Sequence, residues 1–223
     1  MRLSLALVTV TLLGAVIPVA SAHDAKKELV KVLASGSTDT WTGGTQHFGY
    51  GVVLRNSSAT RDVLGVKLHV AVLSRNGAVI GIYLTIVPRI PAGATFYVGN
   101  EPATIGNTQH AATIIVGVAS SGTQAKRGPL PSGKAQVSGT HIKGSLTNAG
   151  AKTLLKAGTR LFAVYYDRSG RVIGGTRLQN VKFPHGRIAS HATAAFTASP
   201  GNAVGVSRIA TVRISVVPSY ASG

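Results

Sequence analysis

Apolar and polar residues alternate with a period of two along much of this chain. Val66, Leu68, Val70 and Val72 are separated by Lys67, His69 and Ala71, and Val212, Ile214 and Val216 by Arg213 and Ser215. That period puts every second side chain on one buried face, as a half-buried β-strand requires. Arg75-Asn76-Gly77 and Arg168-Ser169-Gly170 each fall between two apolar runs. Glycine takes positive φ there at no steric cost, so each predicts a hairpin turn. Pro91 and Pro184, each two residues before a glycine, predict the end of a strand and the start of a loop. Short strands rich in Val, Ile and Thr at such spacing predict an all-β fold, a β-sandwich ahead of a barrel. Residues 23–33 leave a choice, because Leu29, Val32 and Leu33 fit a short helix as well as a first strand.

The pattern occurs twice. Leu54-Arg55-Asn56 has a counterpart in Leu146-Thr147-Asn148, and the run Val70–Gly81 lies beside Ala163–Gly174. Ile90-Pro91-Ala92-Gly93 aligns with Phe183-Pro184-His185-Gly186, and Ala112–Val118 with Ala210–Val216. Four collinear blocks imply a duplicated unit. The expected organisation is a domain over 28–120, a second over 135–218 and a short tail over 219–223. Residues 121–134 between them are polar, basic and broken by Gly and Pro, the composition of a flexible linker.

The second copy carries Tyr165-Tyr166-Asp167-Arg168-Ser169-Gly170-Arg171-Val172-Ile173-Gly174, preceded by Leu146-Thr147-Asn148 and followed by Pro184-His185-Gly186. This arrangement resembles the FxLYD domain family. Tyr166 and Asp167 match the last two positions of that motif, while Ala163 and Tyr165 stand where its Phe and Leu would be. The first copy has Val70, Val72, Leu73 and Ser74 at the corresponding places. The resemblance implies small extracytoplasmic β-sandwich domains, and it brings no active site with it. The expected fold is therefore two tandem immunoglobulin-like or fibronectin-III-like β-sandwiches. Asp167 has a structural role available, since an Asp opening a turn accepts backbone N–H groups two or three residues on.

The N-terminus adds a location. Arg2 supplies a positive start, Leu3 to Ala20 carries no charge, and Ala20-Ser21-Ala22 is a small-x-small site. This predicts a signal peptide over 1–22, a basic leader over 23–27 and a secreted or envelope-associated chain. No later segment has the length and apolarity to span a bilayer.

Composition narrows the chemistry. The chain has no cysteine, which removes disulfides, thiolate metal sites and a Cys nucleophile. Six acidic residues give paired-carboxylate catalysis little material, and no Gly-x-Ser-x-Gly elbow occurs. A non-catalytic protein without a cofactor is expected. One metal reading stands as an alternative. Cleavage after Ala22 would make His23 the new terminus, whose α-amine and ring nitrogen suit Cu(II).

Charge separates the two copies. The formal net charge is +17. Residues 28–120 hold six Lys/Arg and four acids, whereas 135–223 hold eleven Lys/Arg and only Asp167. Such a one-sided surface attracts polyanions. The expected partner is an anionic wall or surface polymer, met by Lys126, Arg127, Lys134, Arg168, Arg171, Arg177, Lys182 and Arg187. Specific nucleic-acid binding is not expected, because aromatics able to stack on bases are few and no recognition motif is present.

Overall fold

The computed structural model describes residues 29–42, 45–102 and 111–221, and these are almost entirely β. The predicted signal peptide, the leader and His23 lie outside the described residues. The first copy contributes β1 (Val30–Thr42), β2 (Thr45–Asn56), β3 (Arg61–Ser74), β4 (Val79–Ile90), β5 (Thr95–Asn100), β6 (Ala111–Ala119) and β7 (Gly122–Ala125). The second contributes β8 (Ser132–Ser138), β9 (His141–Thr147), β10 (Leu154–Leu155), β11 (Arg160–Tyr166), β12 (Val172–Arg177), β13 (Gln179–Lys182), β14 (Arg187–Ile188), β15 (Thr193–Ser199) and β16 (Thr211–Val217). Residues 30–33, where a helix was the alternative, are strand.

Each copy is an antiparallel sandwich, as the alternation predicts. In the first, sheet β1-β2-β5 faces sheet β4-β3-β6. Phe48, Tyr50, Val52 and Leu54 from β2 meet Val66, Leu68, Val70 and Val72 from β3, all fully buried. In the second, the sheet runs β12-β11-β16-β8-β9-β15-β13. It folds over where β16 meets β8 through the single pair Val212–Ala135, so that Leu161, Ala163 and Tyr165 pack on Ile142, Leu146 and Phe196.

The two hairpins match in detail. Gly77 and Gly170 have φ of 81° and 78°. The ladder slips at the same place in each, Val72/Leu73 in one and Tyr165/Tyr166 in the other. Asp167 holds its turn as expected: its carboxylate accepts the N–H groups of Ser169 at 2.9 Å and Arg171 at 3.0 Å.

Two expectations need correction. Residues 121–134 are not a free linker. Gly122–Ala125 pairs with Arg61–Leu64 of β3, the Arg127 amide donates to Asp62 at 3.2 Å, and Ser132 already begins β8. A polar Gly/Pro-rich stretch can therefore add an edge strand when a neighbouring strand has unpaired backbone to offer. The second correction concerns Pro91 and Pro184, which are not equivalent. The amide of Ala94 bonds the Pro91 carbonyl as that of Ala192 bonds the Ala189 carbonyl, so Ile90-Pro91 corresponds to Ile188-Ala189. Pro184 instead opens a 3-10 turn, Pro184–Gly186, between β13 and β14.

The copies stack on each other. The face of β1-β2-β5 turned away from its own core lies against β11 and β12, which leaves β2 and β11 buried on both sides. Glycines permit the approach: a Cβ on Gly99 would land on the Ala163 carbonyl, and one on Gly51 on that of Gly174. Phe96 meets Phe162 across the junction with ring centroids 6.4 Å apart. The Tyr97 amide donates to Ser215 Oγ at 2.9 Å, and the Asn202 amide to the Glu101 carboxylate at 3.0 Å. The layers thus run β4-β3-β6, β1-β2-β5, β12-β11-β16, then β8-β9-β15-β13.

Candidate functional site

The last of these layers presents an open face. Ile142 and Leu146 of β9 point into the core, which turns His141, Lys143, Ser145 and Thr147 outward. Directly paired residues share a face, and the pairs Lys182–Thr197, Thr197–Lys143 and Lys143–Gln136 make one row across β13, β15, β9 and β8. Lys134, paired with Ser145, stands in the next row. Strands lie ~4.8 Å apart, so Lys143 sits within about 10 Å of both other lysines. Lys134, Lys143 and Lys182 are all exposed. The second copy puts no carboxylate on this face, because Asp167, its one acid, sits in the β11–β12 turn; Glu101 of the first copy lines an adjoining concavity with Gln179, Asn180 and Ser199. A concavity of about 430 Å³ lies at its edge, lined by Thr140, His141, Asn180, Lys182, Thr197 and Ser199.

The eight basic residues expected to act together divide into groups. Lys134 and Lys182 share the outer face with Lys143, which the sequence expectation left out. The alternation His141, Lys143, Ser145, Thr147 against Ile142 and Leu146 was the signal that could have found it. Arg168 and Arg171 are in the β11–β12 turn. Arg171 is bound to Asp167 through Nε at 3.1 Å and Nη2 at 2.9 Å. The hydroxyl of Ser169 and the amide of Arg171 hold the Asp167 carboxyl well below the usual range, with the Arg171 guanidinium adding to them. That ion pair removes one positive charge from the set. Arg177 ends β12 opposite Phe162, and Arg187 pairs with Leu155 in the small β10–β14 ladder.

Lys126 and Arg127 lie at the junction of the copies. Arg127 lines a cleft of about 590 Å³ with Arg89, Leu130, Lys152, Val217 and Tyr220. Its walls are mostly apolar, and Arg89 is already committed to Asp62 at 3.0 Å. Burial raises the Tyr220 phenol above its ordinary value, with Arg89 opposing. This cleft is separate from the lysine row.

Among the described residues no group of three or more His, Asp or Glu is placed to hold a metal ion, and no helix is long and apolar enough to cross a membrane. No family model matches the chain, and no curated protein matches it.

Proposed function

We propose that the chain is an exported, non-catalytic binding protein that holds an anionic surface polymer on the outer sheet of its second domain. The observation that carries this is the row Lys182–Thr197–Lys143–Gln136, with Lys134 beside it, on a sheet face to which the second copy contributes no carboxylate. Three ammonium groups spread over one exposed sheet face match a chain of repeated negative charges better than a compact ligand. Hydroxyls of Thr147, Thr193 and Thr197 and the Gln136 amide add neutral hydrogen-bonding groups between them, suiting a phosphate-rich or uronate-rich glycan.

The test is binding to long-chain polyphosphate and to polygalacturonate across a salt series. The logarithm of the affinity should fall linearly with the logarithm of salt concentration, as counterion release requires. Replacing Lys134, Lys143 and Lys182 together by Glu should abolish binding at 0.15 M salt, a value at which surface charges are screened beyond ~8 Å. Replacing Arg168 and Arg171 should do much less. Salt-indifferent binding, or binding that survives the triple replacement, rejects the proposal.

A further inference from the structure

The opposite end of the stack has the reverse character. On the outward face of β4-β3-β6, Ile82 is 70% exposed, Ile115 60%, Val79 57%, Leu84 53% and Ile86 48%. Cross-strand pairs gather them: Ile82–Ala71–Ile115 forms one row, and Leu84–His69–Gly117 the next. No charged residue occurs from Val79 to Val87; the charge on this face is Lys67 of β3, exposed and paired with Ile86 and Ala119 at one end of the patch. β4 is also an edge strand, paired among the described residues with β3 alone. A largely apolar face beside an edge strand is what soluble proteins avoid unless something covers it.

The duplication shows how such a face is covered. Both hairpins slip at the same place, so the row Ile82–Ala71–Ile115 corresponds to Gly175–Val164–Arg213 in the second copy. There the row is covered at β12 and β11, where Gly175 and Val164 are buried and Val164 packs on Gly51 of β2 under the sheet of the neighbouring copy, while Arg213 of β16 stays exposed. The equivalent sheet thus stacks under another sheet in the second copy, and in the first copy no sheet among the described residues covers it.

Charge indicates which sheet. The strongly basic second domain occupies the far end of the stack, with the first domain's inner sheet between. Sheets pack ~10 Å apart, so two molecules joined through their β4-β3-β6 faces keep their basic ends several screening lengths from one another. Any docking that brought the second domains together would not. We infer that the chain forms a two-fold dimer by stacking the β4-β3-β6 face, centred on Ile82, Leu84 and Ile115, on the same face of a second copy. The dimer presents its two lysine rows at opposite ends. The inference stands on the apolar face and the distribution of charge between the copies, without the polymer reading.

Sedimentation equilibrium of the processed chain in 0.5 M salt tests it, at a salt concentration where polymer binding is suppressed. The wild type should sediment as a dimer. Leu84→Lys should weaken the dimer at least about a hundredfold, because like charges meet near the two-fold, while its circular dichroism spectrum stays that of the wild type. The Lys134, Lys143 and Lys182 replacements should leave the dimer intact. The cysteine-free sequence permits a second measurement: Leu84→Cys should give cross-linked dimers with a short bis-maleimide, and Gln136→Cys on the far sheet should not. A wild type that stays monomeric at about 100 μM, whatever else it binds, overturns the inference. So does equal cross-linking at both positions.

Discussion

Asn56 and Asn148 occupy the same place in the two copies and make the same bonds. Each is fully buried. Asn56 Nδ2 reaches the carbonyls of Arg61, Ile90 and Pro91 at 2.8, 3.1 and 3.1 Å. Asn148 Nδ2 reaches those of Lys152, Ile188 and Ala189 at 2.9, 3.2 and 3.0 Å. Each Oδ1 accepts an amide two residues on, Ser58 in one copy and Gly150 in the other. One side chain thereby joins the end of a strand, the loop after it and the strand arriving from the opposite side. Replacement by Ala leaves buried carbonyls without their donor, which costs ~1–3 kcal/mol. Asn56→Ala and Asn148→Ala should each lower stability by about 2–3 kcal/mol, seen as a lower urea midpoint with unchanged slope.

The stacking of the copies rests on glycine positions, which gives a second prediction. Gly99→Val would drive a side chain into the Ala163 carbonyl and the Thr176 backbone, and strands of two sheets cannot both yield. The copies should separate, and calorimetry should resolve two transitions where the wild type shows one. Gly122→Val, with nothing within 4 Å of its Cβ, should keep a single transition.

Asp62 supplies a pH dependence. Its carboxylate has no exposed surface and accepts the Ala92 amide at 2.9 Å, the Arg127 amide at 3.2 Å and Arg89 Nη1 at 3.0 Å. Burial pushes the carboxyl up, but the two amides and the Arg89 charge outweigh it and the group titrates below its ordinary value. A depressed folded value means stability that is present above the unfolded value of ~3.9 and is lost as pH falls through the folded one. Asp62→Asn should therefore cost about 3 kcal/mol at pH 7, the range for breaking a buried pair. The difference from wild type should shrink below about pH 4 in urea titrations.

What could be seen in the sequence follows from what each residue pattern encodes. Alternation in β3 and β16 gave the strands, because a half-buried sheet writes its core face directly into the sequence. Gly77 and Gly170 gave the hairpins, because few other residues accept that φ. The stacked interface was hidden for the same reason. In β2, Phe48, Tyr50, Val52 and Leu54 mark a core face, while Gly49 and Gly51 on the other face look like a weak solvent-facing column. They are buried by a second sheet that comes close because they are small. The lysine row was half legible, since charge pointed to the second copy but only the cross-strand register brings Lys182 beside Lys143.

The mismatch of Pro91 with Pro184 leads to the last prediction. Pro-x-Gly occurs in both copies, yet the structural counterpart of Gly93, with φ of 64°, is His191, with φ of 55°. The same left-handed turn is thus made by glycine in one copy and histidine in the other, and the matching glycine pattern lies in a segment the first copy does not have. Nothing lies within 4 Å of a Cβ placed on Gly93, so the cost of a side chain there is conformational alone. Gly93→Ala should destabilise by about 0.5–1 kcal/mol, the ~1–2 kcal/mol penalty an L-residue meets in the left-handed region less the ~0.5–1 kcal/mol of unfolded-chain freedom that Ala removes. His191→Gly should relieve that penalty but add unfolded-chain freedom worth ~0.5–1 kcal/mol. Its net effect is therefore a smaller gain, about 0.5 kcal/mol. His185→Gly, also at positive φ but outside the shared turn, bears on Pro184–Gly186 alone. If Gly93 and His191 are equivalent, Gly93→Ala and His191→Gly shift the urea midpoint in opposite directions; equal signs would show that the two turns are not the same element.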